Sequence, residues 1–218
     1  MNRSYQTNDH SLAHPLIPEG NDMTTDSRTQ IERSSDSGRT DSGTSGLSRA
    51  EAEALCIESM RIMADGSRAD FERVVHPLAH NREAVDEPPA ARIPGPEGFY
   101  ATALWLRDAF AELTFDIHEV VSTGDTVVIH NTMRGRQQGP MISYDEAGLV
   151  AEAFPSKGRT FASRQTHWFR LADGQVIEHW ANRDDIATAK QLGWIPPSPP
   201  FLLRMILAKR RARRALRR

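Results

Sequence analysis

Apolar residues recur at helical spacing in three stretches of the first half of the chain and at alternate positions in the second. Ser48-Arg49-Ala50-Glu51 forms a capping box, in which hydroxyl and carboxylate each satisfy a backbone N–H left open at a helix start. Ala52, Leu55, Cys56, Ser59 and Met63 follow at a spacing that predicts an amphipathic helix over 49–64, stopped by Asp65-Gly66. Ser67-Arg68-Ala69-Asp70 caps a second, short helix carrying Phe71, Val74 and Val75. His76-Pro77 ends it, because a residue before proline is pushed out of the α region. Residues 81–97, with Pro88, Pro89, Pro94 and Pro96, read as a long loop of the kind that serves as a lid or binding loop. Phe99, Ala103, Leu106, Phe110 and Leu113 then predict a third helix over 97–112.

From Phe115 the period becomes two. Phe115, Ile117, Glu119 and Val121 alternate with polar residues, and Thr123-Gly124-Asp125 turns the chain into a strand over 126–136. Residues 137–158 are broken by Gly and Pro and carry no predicted element. A strand over 161–171, the turn Ala172-Asp173-Gly174 and a partner over 175–182 form a hairpin. A short helix over about 184–192 stops at Gly193, and Pro196 to Pro200 form a stiff spacer. Helices segregated from antiparallel strands define an α+β fold. A curved sheet that wraps such helices leaves a small-molecule pocket at its mouth.

Charge divides the chain further. The 27 Lys and Arg against 29 Asp and Glu give −2, but residues 201–218 hold eight bases and no acid. Residues 1–46 contain eight Ser and six Thr with few apolar residues, too little to offset their ordering entropy. The expected organisation is a disordered leader over 1–46, an α+β domain over 47–197 and a basic amphipathic helix over 198–218. In that helix Phe201, Met205, Ala208, Ala212 and Ala215 form an apolar stripe, which suits either packing of its first two turns on the domain or on a dimer partner, or an anionic membrane surface as a partner for 201–218. The net charge of −7 over 47–200 argues against nucleic acid. Cys56 stands alone, which excludes an intrachain disulfide and a cysteine-rich metal site. The first thirty residues lack the basic and apolar regions of a secretory leader, so a cytoplasmic location is expected.

Strand parity sorts the polar candidates. Phe161, Ser163, Gln165, His167 and Phe169 share one face of the 161–171 strand. Ile177, His179, Ala181 and Arg183 share one face of its partner, with Val176, Glu178, Trp180 and Asn182 on the other. Two histidines from adjacent strands are then brought near each other, and neutral imidazole is an effective general base near pH 7. Asp184 and Asp185 stand where a helix begins, where capping competes with catalysis as their role. His76 and His80 have metal-ligand spacing for a helix, but Pro77 interrupts it, and no metal is expected. There is no glycine-rich phosphate loop, dinucleotide fingerprint or nucleophile elbow.

Arg164-Gln165-Thr166-His167-Trp168-Phe169-Arg170, Asp173-Gly174-Gln175-Val176-Ile177-Glu178-His179-Trp180, Asp184-Asp185 and Gln191-Leu192-Gly193 resemble the SnoaL-like polyketide cyclases, or ester cyclases, of the nuclear transport factor 2-like superfamily. The resemblance extends over residues 48 to about 197 and includes His76-Pro77, Asn81 and Gly95-Pro96-Glu97-Gly98-Phe99. It implies a cone-shaped α+β fold, a curved antiparallel sheet around three N-terminal helices, a homodimer, a hydrophobic pocket and no cofactor. It also implies intramolecular aldol closure of a polyketide ester, with an essential carboxylate two residues after the last-strand histidine. That histidine corresponds to His179, and the carboxylate position is Ala181. Proton transfer would then pass to His167, His179 or Asp184, with Asn81, Gln165, Phe161, Phe169 and Arg183 around a small hydrophobic carbonyl substrate. Ala181 equally suits a non-catalytic ligand-binding or dimerisation module.

Overall fold

The computed structural model describes residues 46–216, so the leader predicted over 1–46 lies outside the described residues except for Gly46, as do Arg217 and Arg218. In chain order the elements are α1 (Arg49–Asp65), α2 (Arg68–Val74), β1 (Val75–Asn81), a 3-10 turn (Pro89–Arg92), α3 (Pro96–Ala109), β2 (Phe110–Thr123), β3 (Thr126–Gln137), β4 (Met141–Tyr144), β5 (Val150–Phe154), β6 (Thr160–Ala172), β7 (Gln175–Arg183), α4 (Asp185–Leu192) and α5 (Pro199–Ala215). The first helix starts at its capping box: Ser48 N–H donates to Glu51 Oε2 at 2.8 Å, and Glu51 N–H returns a bond to Ser48 Oγ at 3.4 Å.

Five strands form one sheet in the order β1-β7-β6-β3-β2, and β4 pairs with β5 in a separate hairpin. The β2–β3, β3–β6 and β6–β7 pairs are antiparallel, whereas β1 lies parallel to β7. Pro77 masks β1 in the sequence and is tolerated there because β1 is an edge strand, where a missing N–H leaves no ladder bond unmade. Bulges bend the sheet. Register shifts fall between Ala111 and Thr114 and between Ile117 and Glu119 of β2, with Glu112 at φ 57° in the first.

That first bulge explains where the third helix stops. The i, i+3 spacing of Phe110 and Leu113 fits a helix, but α3 ends at Ala109 and both residues reach the core from a bulged strand. A further register shift beside Arg170 and Leu171 changes the parity of β7: Val176, assigned to the outer face, is fully buried opposite Leu171. Beyond the shift, His179 pairs with Phe169 and Ala181 with His167. The Gly- and Pro-broken segment contains the β4–β5 hairpin, held to α3 by Trp105 Nε1–H donating to Ile142 O at 2.8 Å.

The core lies between the helices and the concave side of the sheet. Ala52, Cys56 and Met60 of α1, Phe71 and Val74 of α2 and Phe99 and Ala103 of α3 meet Val127, Ile129, Phe169, Leu171 and Val176. Gly95 at φ +86° starts α3 against β1; a Cβ there would stand 2.5 Å from Pro77 O, so only glycine fits.

α5 packs against β5 through its predicted stripe, with Phe201 buried and Arg213 donating to Val150 O at 2.9 Å. Its opposite side exposes Leu202, Leu203, Ile206 and Leu207. No helix among the described residues is long and apolar enough to cross a membrane.

Candidate functional site

A cavity of about 380 Å³ opens between the helices, the sheet and the β4–β5 hairpin, within the range of small-molecule pockets. Its apolar wall comes from Met60, Met63, Phe99, Leu106, Phe115, Met133, Phe154 and Trp194. Asn81, Gln165, His167, Phe169, His179 and Arg183 line it as well.

The polar groups form a chain. Gln165 Oε1 lies 2.8 Å from His167 Nε2, His167 Nδ1 lies 2.9 Å from His179 Nε2, and His179 Nδ1 lies 2.9 Å from Asn81 Oδ1. β6 and β7 place the two imidazoles on adjacent strands, stacked at 5.2 Å between ring centroids and tilted by 19°. Phe169 packs beside both, 6.4 Å from the His167 ring and 5.1 Å from that of His179. Burial pushes both imidazoles toward the neutral form. His179 is lowered to about 3 by desolvation and then by the Arg183 guanidinium. His167 is held well below its ordinary value by the same burial, by His179 and by Arg183.

Proton counting orients this chain. Two neutral imidazoles carry two N–H groups for three contacts. Asn81 Oδ1 also accepts the Glu83 N–H at 3.2 Å, which fixes the oxygen toward His179. His179 therefore donates from Nδ1 and accepts at Nε2 the proton of His167 Nδ1. The remaining lone pair lies on His167 Nε2, facing Gln165. When that atom is neutral, the Gln165 amide turns its nitrogen toward it; when protonated, the oxygen faces it. The turn sacrifices little, since the other Gln165 contact is a 3.7 Å approach to Met133 sulfur.

Two candidates lie elsewhere. Phe161 is buried in a second core cluster, 4.9 Å from the Phe110 ring, and does not line this cavity. Asp184 is exposed and caps α4, accepting the Ala187 N–H at 3.0 Å. His76 and His80 sit on β1, where the Nδ1 of His76 accepts the Leu78 N–H at 3.1 Å.

Carboxylates approach from the segment after β1. Glu83 Oε1 accepts the Ala181 N–H at 2.9 Å, and its Oε2 lies 3.4 Å from Arg183 Nη2. Glu87, 2% exposed, lines the cavity and meets Thr102 Oγ1 at 2.5 Å. Desolvation pushes its carboxyl up to about 7, with the Thr102 hydrogen bond and Arg183 acting in the opposite sense. Sequence reasoning missed Glu87. It stands with Glu83, Asp86 and four prolines on a segment that reads as a loop, and no period marks it as buried.

An α+β cone with a buried cluster of histidine, amide and carboxyl side chains beside an apolar cavity defines the class of the fold. The profile of the SnoaL-like polyketide cyclases matches residues 57–192, and the chain belongs to that family. The aklanonic acid methyl ester cyclase DnrD of Streptomyces peucetius is 30% identical over 135 residues, 62% of this chain and 85% of the relative. DauD, of the same description, from Streptomyces sp. strain C5 is 30% identical over 130 residues, covering 55% and 73%. Among solved structures, TsrD from Streptomyces laurentii superposes with a TM-score of 0.54 at 25% identity, covering 67% of this chain and 98% of that one. A SnoaL-like polyketide cyclase from Jannaschia sp. CCS1 shares the fold at 22% identity, with a TM-score of 0.53 and coverage of 68% and 94%.

Proposed function

We propose that the protein is a cofactor-independent acid–base enzyme of the ester cyclase type, acting on a small hydrophobic carbonyl compound. The neutral His167–His179 pair, oriented by Asn81 and Gln165 within an apolar cavity, carries this reading. His167 Nε2 is the base: the substrate displaces the Gln165 amide from it, Nε2 takes a proton from the carbon beside a carbonyl, and the Gln165 oxygen returns to the new N–H when the product leaves. The enolate carbon then attacks a second carbonyl of the same molecule, forming one C–C bond, and the resulting alkoxide takes a proton. Substrate and product are isomers. The apolar wall lowers the local dielectric and so strengthens each electrostatic contact in that sequence.

The test uses aklanonic acid methyl ester, the compound named for the two relatives, with products separated by chromatography. The wild type converts it, and His167→Ala loses conversion. Unchanged turnover by His167→Ala overturns the assignment. Ala181, where the family resemblance implies a carboxylate, favours a second reading: a module that binds hydrophobic ligands without altering them. Saturable binding by the wild type with the ligand recovered intact supports that reading and opposes the first.

The outward side of α5 supports an additional role as a contact for anionic lipid. Exposed Leu202, Leu203, Ile206 and Leu207 are followed along that side by Arg210, Arg211 and Arg214, a pairing of apolar and cationic groups that matches a negatively charged bilayer surface. Co-sedimentation with phosphatidylserine-containing vesicles, lost in the triple substitution R210E/R211E/R214E and absent with phosphatidylcholine vesicles, is the expected result. Equal sedimentation of the wild type and the triple variant overturns it.

A further inference from the structure

The cluster contains a base, His167, whose open lone pair is covered only by the Gln165 amide, yet Ala181 supplies no acid. We propose that Glu87, brought from the segment between β1 and α3, is the proton donor of this site, performing from the cavity wall the acid role that Ala181 leaves open. The inference rests on the acid–base reading above and extends it to a second proton. His167 removes a proton from carbon. Glu87 delivers its own proton to the oxygen of the attacked carbonyl as the new C–C bond forms. After release, solvent carries the proton of the His167 imidazolium back to the Glu87 carboxylate, so each turnover leaves both groups as they began.

The geometry has three parts. First, Glu87 is a cavity-lining carboxyl with almost no exposure, and burial of that kind opposes its charged form. Second, its partner satisfies both protonation states. As an acid, Glu87 donates to Thr102 Oγ1, and the Thr102 hydroxyl turns to the Gly98 carbonyl 3.3 Å away; as a carboxylate, Glu87 accepts from that same hydroxyl at 2.5 Å. Third, Thr102 joins the acid to the base. Asn81 Nδ2–H donates to Thr102 Oγ1 at 3.4 Å, and Asn81 Oδ1 accepts from His179. One asparagine therefore fixes the distance between proton donor and proton acceptor.

The segment that presents Glu87 is tied down at several points. Arg92 donates to Glu87 O at 3.1 Å and to Asp145 O at 2.8 Å, bridging the segment to the β4–β5 hairpin. Tyr144 N–H donates to Asp86 O at 2.9 Å. The charged groups around Glu87 oppose one another. Asp86 and Glu83 of its own segment favour the acid, Arg183 of β7 favours the carboxylate, and Thr102 of α3 stabilises the carboxylate through its hydroxyl. Asp185 at the start of α4 neutralises part of Arg183, whose Nε lies 3.8 Å from its Oδ1.

The test is the pH dependence of turnover with aklanonic acid methyl ester. The wild-type rate falls on the alkaline side of about 7, where Glu87 loses its proton. Glu87→Gln removes that limb and lowers kcat at least about 100-fold with little change in KM. Thr102→Val, which withdraws the hydroxyl that favours the carboxylate, moves the limb to higher pH; a packing role for Thr102 would leave the limb in place. Glu87→Gln with wild-type kcat and an intact alkaline limb overturns the proposal while leaving the acid–base reading standing, provided His167→Ala is inactive. Turnover by His167→Ala overturns the reading itself. Infrared difference spectra supply a readout independent of turnover. The wild type shows a protonated carboxyl band that disappears through about 7 and is absent from Glu87→Gln. A wild type without that band on the acid side of 7 overturns the proposal.

Discussion

Glu87→Gln should gain stability relative to the wild type as the pH rises into mild alkali, even as it damages the site. A carboxyl whose pKa rises from an ordinary 4.5 to about 7 on folding stabilises the folded state fully below 4.5, and that contribution is lost as the pH rises through about 7. At about 1.4 kcal/mol for each pH unit, the gap is about 3 kcal/mol. Glutamine keeps the shape and an acceptor for the Thr102 hydroxyl but carries no charge at any pH. The difference in unfolding free energy between variant and wild type should therefore shift by about 3 kcal/mol in favour of glutamine from below 4.5 to above 7. The histidine pair acts in the opposite direction. With His179 lowered from 6.5 to about 3, stability present above 6.5 is lost as the pH falls through that window. Both proteins contain the pair, so its contribution cancels in the difference. Urea unfolding followed by the fluorescence of Trp105, Trp168, Trp180 and Trp194 gives the two curves. If they run parallel with pH, Glu87 does not hold its proton in the folded state and the reasoning about its burial is refuted.

Three further outcomes follow from the same contacts. Arg183→Gln removes the guanidinium that lowers His167, His179 and Glu87 together, so both limbs of the pH–rate profile move upward; a fixed profile would show that Arg183 acts only on Glu83 and Asp185. Phe169→Ala opens a void beneath both imidazoles and costs about 3–5 kcal/mol in urea unfolding. A loss well under 1 kcal/mol would mean that the neighbourhood collapses to fill the space. Gly95→Ala forces an L side chain to φ +86° and against Pro77 O, costing about 1–3 kcal/mol, measured as a lowered midpoint in thermal unfolding.

Much of the architecture follows from local rules. The capping boxes at Ser48 and Ser67 mark two helix starts because their polar groups bond within three residues along the chain. The long strands β3 and β6 declare themselves by alternation, since one face is buried and the other is not. Gly193 ends α4 in the left-handed conformation that glycine adopts without strain. Such signals fail where bulges intervene. Phe110 and Leu113 imitate a helical stripe because a bulge in β2 restores their common direction, and Val176 changes face for a similar reason. β1 escapes notice because Pro77 is unfavourable in a paired strand and acceptable only at an edge, and being an edge is a property of the whole sheet.

The candidate site divides along the same line. By itself the sequence determines that His167 and His179 occupy neighbouring strands, because alternation along each strand and the tight turn at Asp173-Gly174 are local. It determines also that position 181 bears no proton donor. Tertiary structure alone decides that Asn81, 98 residues before His179, accepts from it, that Asp184 caps a helix outside the cavity, and that Phe161 belongs to another part of the core. It alone sets the state of Glu87. A carboxylate on a proline-rich loop is an ordinary solvated group until α3 and the β4–β5 hairpin enclose it. Desolvation depends on what the rest of the chain packs around a residue, and no spacing along the chain encodes that.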